Sequence, residues 1–414
     1  VRLEITAGPM AGKIYDFSSP DAFIFGRSDK AHCQILTDPV VSRLHFMIEF
    51  DPPAARLKDL GSTNGVSVNG VKYGGRTGDA PKAVDLRDGD RIRVGGSIIV
   101  FRVKGDAGLA LESPPGGGFS LAAMVNAMEN RVGSGPPVIP GYDGLSKVNA
   151  GSAGVVYKAR RLEDDRQVAI KVMKIAAGRA QDAMWIRFSR EIEITRFIRH
   201  PNVVEFLDAG RIENGLYLAM EYMAGGDLSE RLEKYPRGLP VGDAIAVMRQ
   251  ILDGMAAVHK EGVVHRDLKP GNILFADETM VTAKISDLGM AKNLQESSCL
   301  TLTGGGGGTP AFMPPEQITQ FRHAQPTADV FSLAAMFYQL LTRETAYNFT
   351  DGKDYLSTII DGDIVPLGKR RTFLGKPPPG PLAELIMRGL SPEPADRFPD
   401  AGAMLAALDA LGPL

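Results

Sequence analysis

The sequence predicts a multidomain chain, an all-β sandwich followed by a larger α+β domain, and three observations carry that expectation. Its 414 residues exceed what one hydrophobic core usually serves, because length over about 150 gives a prior of two to three domains. Residues 1–104 alternate apolar and polar side chains between closely spaced turn signals, the pattern of short strands. The second half mixes strand patterns with helical stripes, and a Gly- and Pro-rich stretch separates it from the first.

Within residues 1–104, Leu44, Phe46, Ile48 and Phe50 alternate with His45, Met47 and Glu49, and Ile92 and Val94 with Arg91 and Arg93. The Leu44 face is expected to be core. Turns are expected at Asp51-Pro52-Pro53, Asn64-Gly65, Asn69-Gly70 and Asp88-Gly89, a spacing that suits an all-β sandwich.

The polar residues of this half gather in the turns: Gly26-Arg27, Ser42-Arg43-Leu44-His45, Ser62-Thr63-Asn64-Gly65 and Asn69-Gly70. Taken singly, Asn64-Gly65 is a hairpin turn and Arg27 a solvated charge. In this order they resemble the forkhead-associated domain, whose members bind phosphothreonine peptides. A phosphate of charge near −2 needs a guanidinium, a hydroxyl and oriented amides, so the resemblance assigns phosphothreonine binding to Arg27, Ser42, Arg43, Thr63 and Asn64. Asn64 would hold the peptide backbone. His45, Gly26, Gly65 and Asn69 would brace the loops.

Residues 105–140 are expected to be a linker. Ser113-Pro114-Pro115-Gly116-Gly117-Gly118 and Gly133-Ser134-Gly135-Pro136-Pro137 bracket Leu121, Met124, Val125 and Met128, which follow Ser120 at helical spacing and predict a short helix.

In the remainder, 141–414, the stretch from Val148 through Asn149, Gly151, Gly154 and Val156 reads as a strand, a Gly-rich turn and a returning strand. Val168-Ala169-Ile170-Lys171 is a further strand ending in a cation. Ile245, Met248, Leu252 and Met255 form the apolar stripe of a helix. His265-Arg266-Asp267-Leu268-Lys269-Pro270-Gly271-Asn272 puts a carboxylate, cations and an amide in one tight loop, and Asp287-Leu288-Gly289 follows. Each alone has a bland reading as a surface charge or a turn cap.

In this order the motifs resemble the eukaryotic-type protein kinase domain, with further matches at Gly308-Thr309-Pro310, Pro314-Pro315-Glu316, Asp329-Val330-Phe331-Ser332-Leu333 and Arg397. The resemblance implies a two-lobed α+β fold, with an N-lobe at about 141–220 and a C-lobe at about 224–414, that uses ATP and Mg2+. Asp267 would act on the substrate hydroxyl, with Lys269 balancing transferred charge, and Glu191 would pair with Lys171, Glu193 being the second choice. Val148, Asn149, Gly151, Gly154, Val156, Ala169, Lys171, Glu221, Met223, Asp227 and Leu274 would bind ATP, with Met220 as gatekeeper. Asp227 is equally a helix N-cap. Asn272 and Asp287 would bind magnesium, while Asp329 and the Glu316–Arg397 pair would be structural. Asn149, Leu288, Pro314 and Ala334 depart from the family's usual residues.

The expected function is therefore serine/threonine protein phosphorylation with an N-terminal phosphothreonine reader. The alternatives are a pseudokinase scaffold and a vestigial reader. Substrates would be proteins bearing Ser or Thr, and reader partners would be phosphothreonine proteins or the chain's own activation segment. There, Thr301 and Thr303 precede Gly304–Gly308 and are candidate autophosphorylation sites.

Composition fits this reading. Hydrophobic content of 44%, charged content of 23% and net charge −2 are ordinary, without an electrostatic footprint for nucleic acid. Cys33 and Cys299 fall in different halves, so no disulfide framework is expected, and a reducing cytoplasm suits them. No apolar run reaches the roughly 18 residues of a membrane span, and the opening Val1-Arg2-Leu3-Glu4-Ile5 alternates, so no membrane segment is expected.

Overall fold

The computed structural model describes residues 1–18, 21–75, 83–103, 136–151, 154–174, 185, 188, 189, 192, 195–213, 215–279, 281–288, 310–319, 325–349 and 355–413. The expected linker helix, Glu191, Glu193, Thr301 and Thr303 lie outside them.

The first domain is a sandwich of strands β1 (Arg2–Ala7), β2 (Ile14–Asp16), β3 (Asp21–Gly26), β4 (Cys33–Gln34), β5 (Phe46–Asp51), β6 (Ala54–Asp59), β7 (Val66–Val68), β8 (Val71–Tyr73), β9 (Ala83–Leu86), β10 (Arg91–Val94) and β11 (Ser97–Arg102). One sheet runs β2-β1-β11-β10-β7-β8 and the other β4-β3-β5-β6-β9. Alternate side chains point into the sandwich, as a period of two requires. Leu3, Ile5, Phe25, Phe46, Ile48, Ile99 and Phe101 are buried there, with Phe25 stacked on Phe46 at 4.6 Å.

The opposite face of β5 is covered as well. His45, Met47 and Glu49 are also buried: Met47 packs in an apolar cluster shared with the second domain, and His45 is held between Ser42 and Gly65. Leu44 does not join the sandwich core. With Ala22, Ile24, Met47 and Leu60 it belongs to an apolar cluster shared with the C-lobe. Asn64-Gly65 is not a hairpin either: β6 pairs with β5 and β9, and β7 with β8 and β10, so the loop between them crosses from one sheet to the other. Asn69-Gly70 does close the β7–β8 hairpin, where both residues adopt positive φ, 50° and 86°.

The second domain opens with the antiparallel sheet β12-β13-β14-β16-β15, built from β12 (Tyr142–Gly151), β13 (Gly154–Arg161), β14 (Gln167–Lys174), β15 (Phe206–Ile212) and β16 (Gly215–Glu221). Alternation along β14 divides its side chains between two clusters. Val168, Ile170 and Val172 pack with Ile139 and Tyr142, while Ala169 and Met173 face Phe188 and Ile192, residues in helical conformation. Lys171 shares the second face and therefore looks into the interlobe cleft.

The C-lobe contains α1 (Leu228–Glu233), α2 (Val241–Lys260), a short ladder of β17 (Ile273–Phe275) and β18 (Ala283–Ile285), then α3 (Pro315–Thr319), α4 (Pro326–Thr342), α5 (Tyr355–Asp361), α6 (Gly380–Gly389) and α7 (Ala401–Ala410). Helix α2 buries Met248, Leu252 and Met255 together with Val247 and Ile251, and Ile245 is half-buried at the edge of that stripe. Helix α4 is apolar on almost every side and buried along nearly its whole length, as a helix at the centre of a bundle must be. Among the described residues, no helix is long and apolar enough to cross a membrane.

Candidate active site and ligand pocket

The loop of the catalytic motif is fixed from below by α4. Asp329, at 0% exposure, accepts the backbone amides of His265 at 2.7 Å and Arg266 at 2.9 Å, and a His259 ring nitrogen lies 3.0 Å from it. These bonds hold Arg266 at φ 64°, a backbone state that costs a non-glycine residue about 1–3 kcal/mol and survives only where neighbours over-determine it. The Gln317 amide adds a bond to the Arg266 carbonyl. His265 is fully buried; its Nδ1 accepts the Asp267 amide at 3.3 Å, and its Nε2 therefore carries the proton donated to the Ser286 carbonyl at 2.9 Å.

On this base the polar residues converge. Lys269 Nζ lies 3.0 Å from Asp267 Oδ2. Asn272, in a single 3-10 turn at Pro270–Asn272, donates its amide to the Asp267 carbonyl at 2.7 Å, an arrangement that reserves its Oδ1 as an acceptor. The Asn272 carbonyl accepts from the Ser286 amide and hydroxyl at 2.9 and 3.1 Å. The next residue, Asp287, sits at φ 57° with its Oδ1 2.8 Å from Lys171 Nζ. One carboxylate, one amide oxygen and a buried ammonium thus face the same cleft. Asp287 and Asn272 offer the hard oxygens that magnesium takes alongside phosphate, so the donor set fits an Mg-nucleotide.

The apolar part of the cleft is a cluster containing Val156, Ala169, Met220, Met223 and Leu274. Val148 bulges from the β12–β13 ladder between Lys147 and Asn149 and is 54% exposed. Asn149, where the family has glycine, turns its Oδ1 onto the Ala150 amide at 2.7 Å. Gly151 pairs with Gly154, and a Cβ at Gly154 would stand 2.3 Å from the Val172 carbonyl oxygen, so the returning strand needs glycine there. The Glu221 carboxylate pairs with Lys284 at 2.7 Å. Asp227 caps α1 by accepting the Glu230 amide at 3.0 Å.

Glu316 and Arg397 form a bidentate pair at 2.6 and 2.9 Å, with Arg397 only 2% exposed. The expected role of both residues as a structural tie agrees with that burial.

In the sandwich the ligand loops are cross-braced. Burial holds the His45 imidazole below its ordinary pKa, and the neutral ring accepts the Ser42 amide at Nδ1 (2.9 Å) while Nε2 donates to the Gly65 carbonyl (3.0 Å). Ser42 Oγ accepts the Thr63 amide at 3.0 Å, keeping its hydroxyl proton for a ligand. Asn64 Nδ2 donates to the Val40 carbonyl at 2.8 Å. Asn69 grips Asp90 and the Arg91 amide at 2.7 and 2.9 Å. A Cβ at Gly26 would meet the Arg43 carbonyl oxygen at 2.1 Å. Arg27, Ser42, Arg43, Thr63 and Asn64 consequently line one wall of a cleft of about 500 Å³. Gln317 escaped the sequence reading, since no motif marks it. So did Lys30 and Asp361, which bond Ile360 and Arg43 across the two domains and carry no local signal.

Comparison with known proteins agrees with both halves. Residues 23–95 match the model of the FHA domain and residues 142–399 that of the protein kinase domain. Serine/threonine-protein kinase PknL of Mycobacterium tuberculosis is 34% identical over 268 residues, covering 64% of each chain. Serine/threonine-protein kinase pkn3 of Myxococcus xanthus is 32% identical over 273 residues, covering 64% of this chain and 48% of that one. The chain thus spans less than two thirds of either relative's length. The crystal structure of Rad53 1-466 in complex with AMP-PNP superposes with a TM-score of 0.52 at 21% identity, covering 98% of both chains, which establishes a likeness of fold. With more than half of its length matched, the chain belongs to the protein kinase domain family.

Proposed function

We propose that the chain is a serine/threonine protein kinase that transfers the γ-phosphate of Mg-ATP to protein hydroxyls, with its N-terminal domain reading phosphothreonine. The observation that carries this is the convergence of Lys171, Asp267, Asn272 and Asp287 on one cleft, above a loop fixed by Asp329. Mg-ATP supplies the transferable phosphoryl group and the charge-neutralising cation. Asp267 orients the substrate hydroxyl and takes its proton, Lys269 balances charge beside it, and Lys171 holds phosphate oxygens as a compact ammonium. Asn272 and Asp287 hold the cation, the Val156–Leu274 cluster holds the adenine, and Glu191 orients Lys171. A pseudokinase scaffold is disfavoured because none of the four polar residues is replaced.

The reader engages phosphothreonine through Arg27, Ser42, Arg43, Thr63 and Asn64, in proteins that recruit the kinase or in the activation segment at Thr301 or Thr303. A vestigial role is disfavoured by the braced loops. Incubation with Mg-ATP and mapping of modified residues by mass shift tests the kinase reading. Modified Ser or Thr, with Thr301 or Thr303 among them, is the expected result, and no incorporation into the chain or a generic protein substrate contradicts it. For the reader, Arg27→Ala should abolish phosphothreonine-peptide binding while the fold persists, and calorimetry with undiminished affinity would remove Arg27 from the site.

A further inference from the structure

The wall of the reader cleft opposite Arg27 and Ser42 is made by the kinase domain. Thr358, Asp361 and Asp363 complete the lining. Three polar contacts seat the reader on helix α5. Ser357 Oγ donates to the Leu60 carbonyl at 2.8 Å, Lys30 Nζ to the Ile360 carbonyl at 2.7 Å, and Arg43 Nη2 to Asp361 Oδ2 at 3.0 Å. Beneath them Ile24, at 0% exposure, and Met47, at 1%, are buried in the shared apolar cluster, and β3 packs on α3.

The charges converge for a physical reason. The last carbonyls of a helix have no partner within it and favour cations, whereas the carboxylate of Asp361, the final residue of α5, adds negative charge at the end where it is least welcome. Two cations from the reader, Lys30 and Arg43, neutralise that end. Arg43 is also a residue assigned to the phosphate.

We infer that the kinase domain is itself a ligand of the reader: the negative end of α5 occupies Arg43 in place of a phosphate, so α5 and a phosphothreonine peptide compete for one guanidinium. This rests on the phosphothreonine reading of the cleft. A peptide entering it must break the Arg43–Asp361 pair and bring a charge near −2 up to that carboxylate. The buried apolar seat holds the domains together meanwhile, so the exchange takes place at the loop rim.

The test is phosphothreonine binding to the full chain, followed by fluorescence anisotropy with a labelled peptide mixture randomised on both sides of the phosphothreonine. Asp361→Asn should bind roughly fivefold more tightly than wild type at low salt, the scale of an exposed ion pair. The gain should shrink at high salt, because both partners are partly solvated. Melting temperature serves as the check on folding. Equal affinity in Asp361→Asn overturns the proposal and leaves the phosphothreonine reading standing. Weaker affinity does the same, since it would make Asp361 part of the peptide's seat. Binding by neither protein removes the phosphothreonine reading and this inference with it.

Discussion

Lys171 Nζ stands 2.8 Å from Asp287 Oδ1, an ion pair that joins the N-lobe sheet to the C-lobe segment following β18. Lysine is 8% and aspartate 32% exposed at the side chain, so the pair is largely desolvated on one side. Lys171→Met removes the ammonium that pairs with Asp287 and is proposed to hold the nucleotide phosphates. Phosphotransfer should fall by roughly two to three orders of magnitude, as expected when one preorganised electrostatic contact is lost. Steady-state kinetics on the purified variant checks it, with wild-type kcat/KM as the contrary result.

Asp329 gives a stability prediction. Its carboxylate is fully buried and holds two amides, so Asp329→Ala leaves those donors unpaired and releases Arg266 from its left-handed backbone. Removing one member of a buried charged network typically costs about 3–5 kcal/mol. Denaturant unfolding should show a loss of that order, with phosphotransfer falling in parallel. A variant of unchanged stability would mean the loop is held by other contacts.

Glu49 gives a pH dependence. Burial raises its carboxyl from the ordinary 4.5 to about 7, opposed by Lys58 and Arg56. The native state therefore holds a proton that the unfolded chain releases near its lower pKa. The stabilisation is full below about pH 4.5 and is lost as pH rises through 7, amounting to something on the order of 3 kcal/mol. Thermal melts of wild type and Glu49→Gln between pH 5 and 8 should diverge, with only wild type losing stability through this group. Parallel profiles would contradict the assignment.

Much of the fold was legible in the sequence because its patterns are local. Parity along β14 turns Lys171 into the cleft, and the order of motifs from Gly151 to Arg397 marks the second domain. The burial of Met47 was not legible, since alternation separates two faces of a strand but cannot say that both are covered. Covering requires α3 and α5, far along the chain. The same distance hid Asp361 and Gln317, whose roles come from what they meet, Arg43 across the domains and the Arg266 carbonyl in the catalytic-motif loop.

Asp267 is proposed to act on the substrate hydroxyl within a working phosphotransfer site, and Asp267→Asn probes that role. Its carboxylate accepts from Lys269 at 3.0 Å and from the Asn272 amide at 3.3 Å, and it is assigned to the hydroxyl, whereas Lys171 and Asp287 are assigned to the phosphates and their cation. Single-turnover phosphorylation and nucleotide binding should be measured on the same preparation. Transfer should fall by several orders of magnitude with nucleotide affinity nearly unchanged. Transfer at the wild-type rate by Asp267→Asn would contradict it.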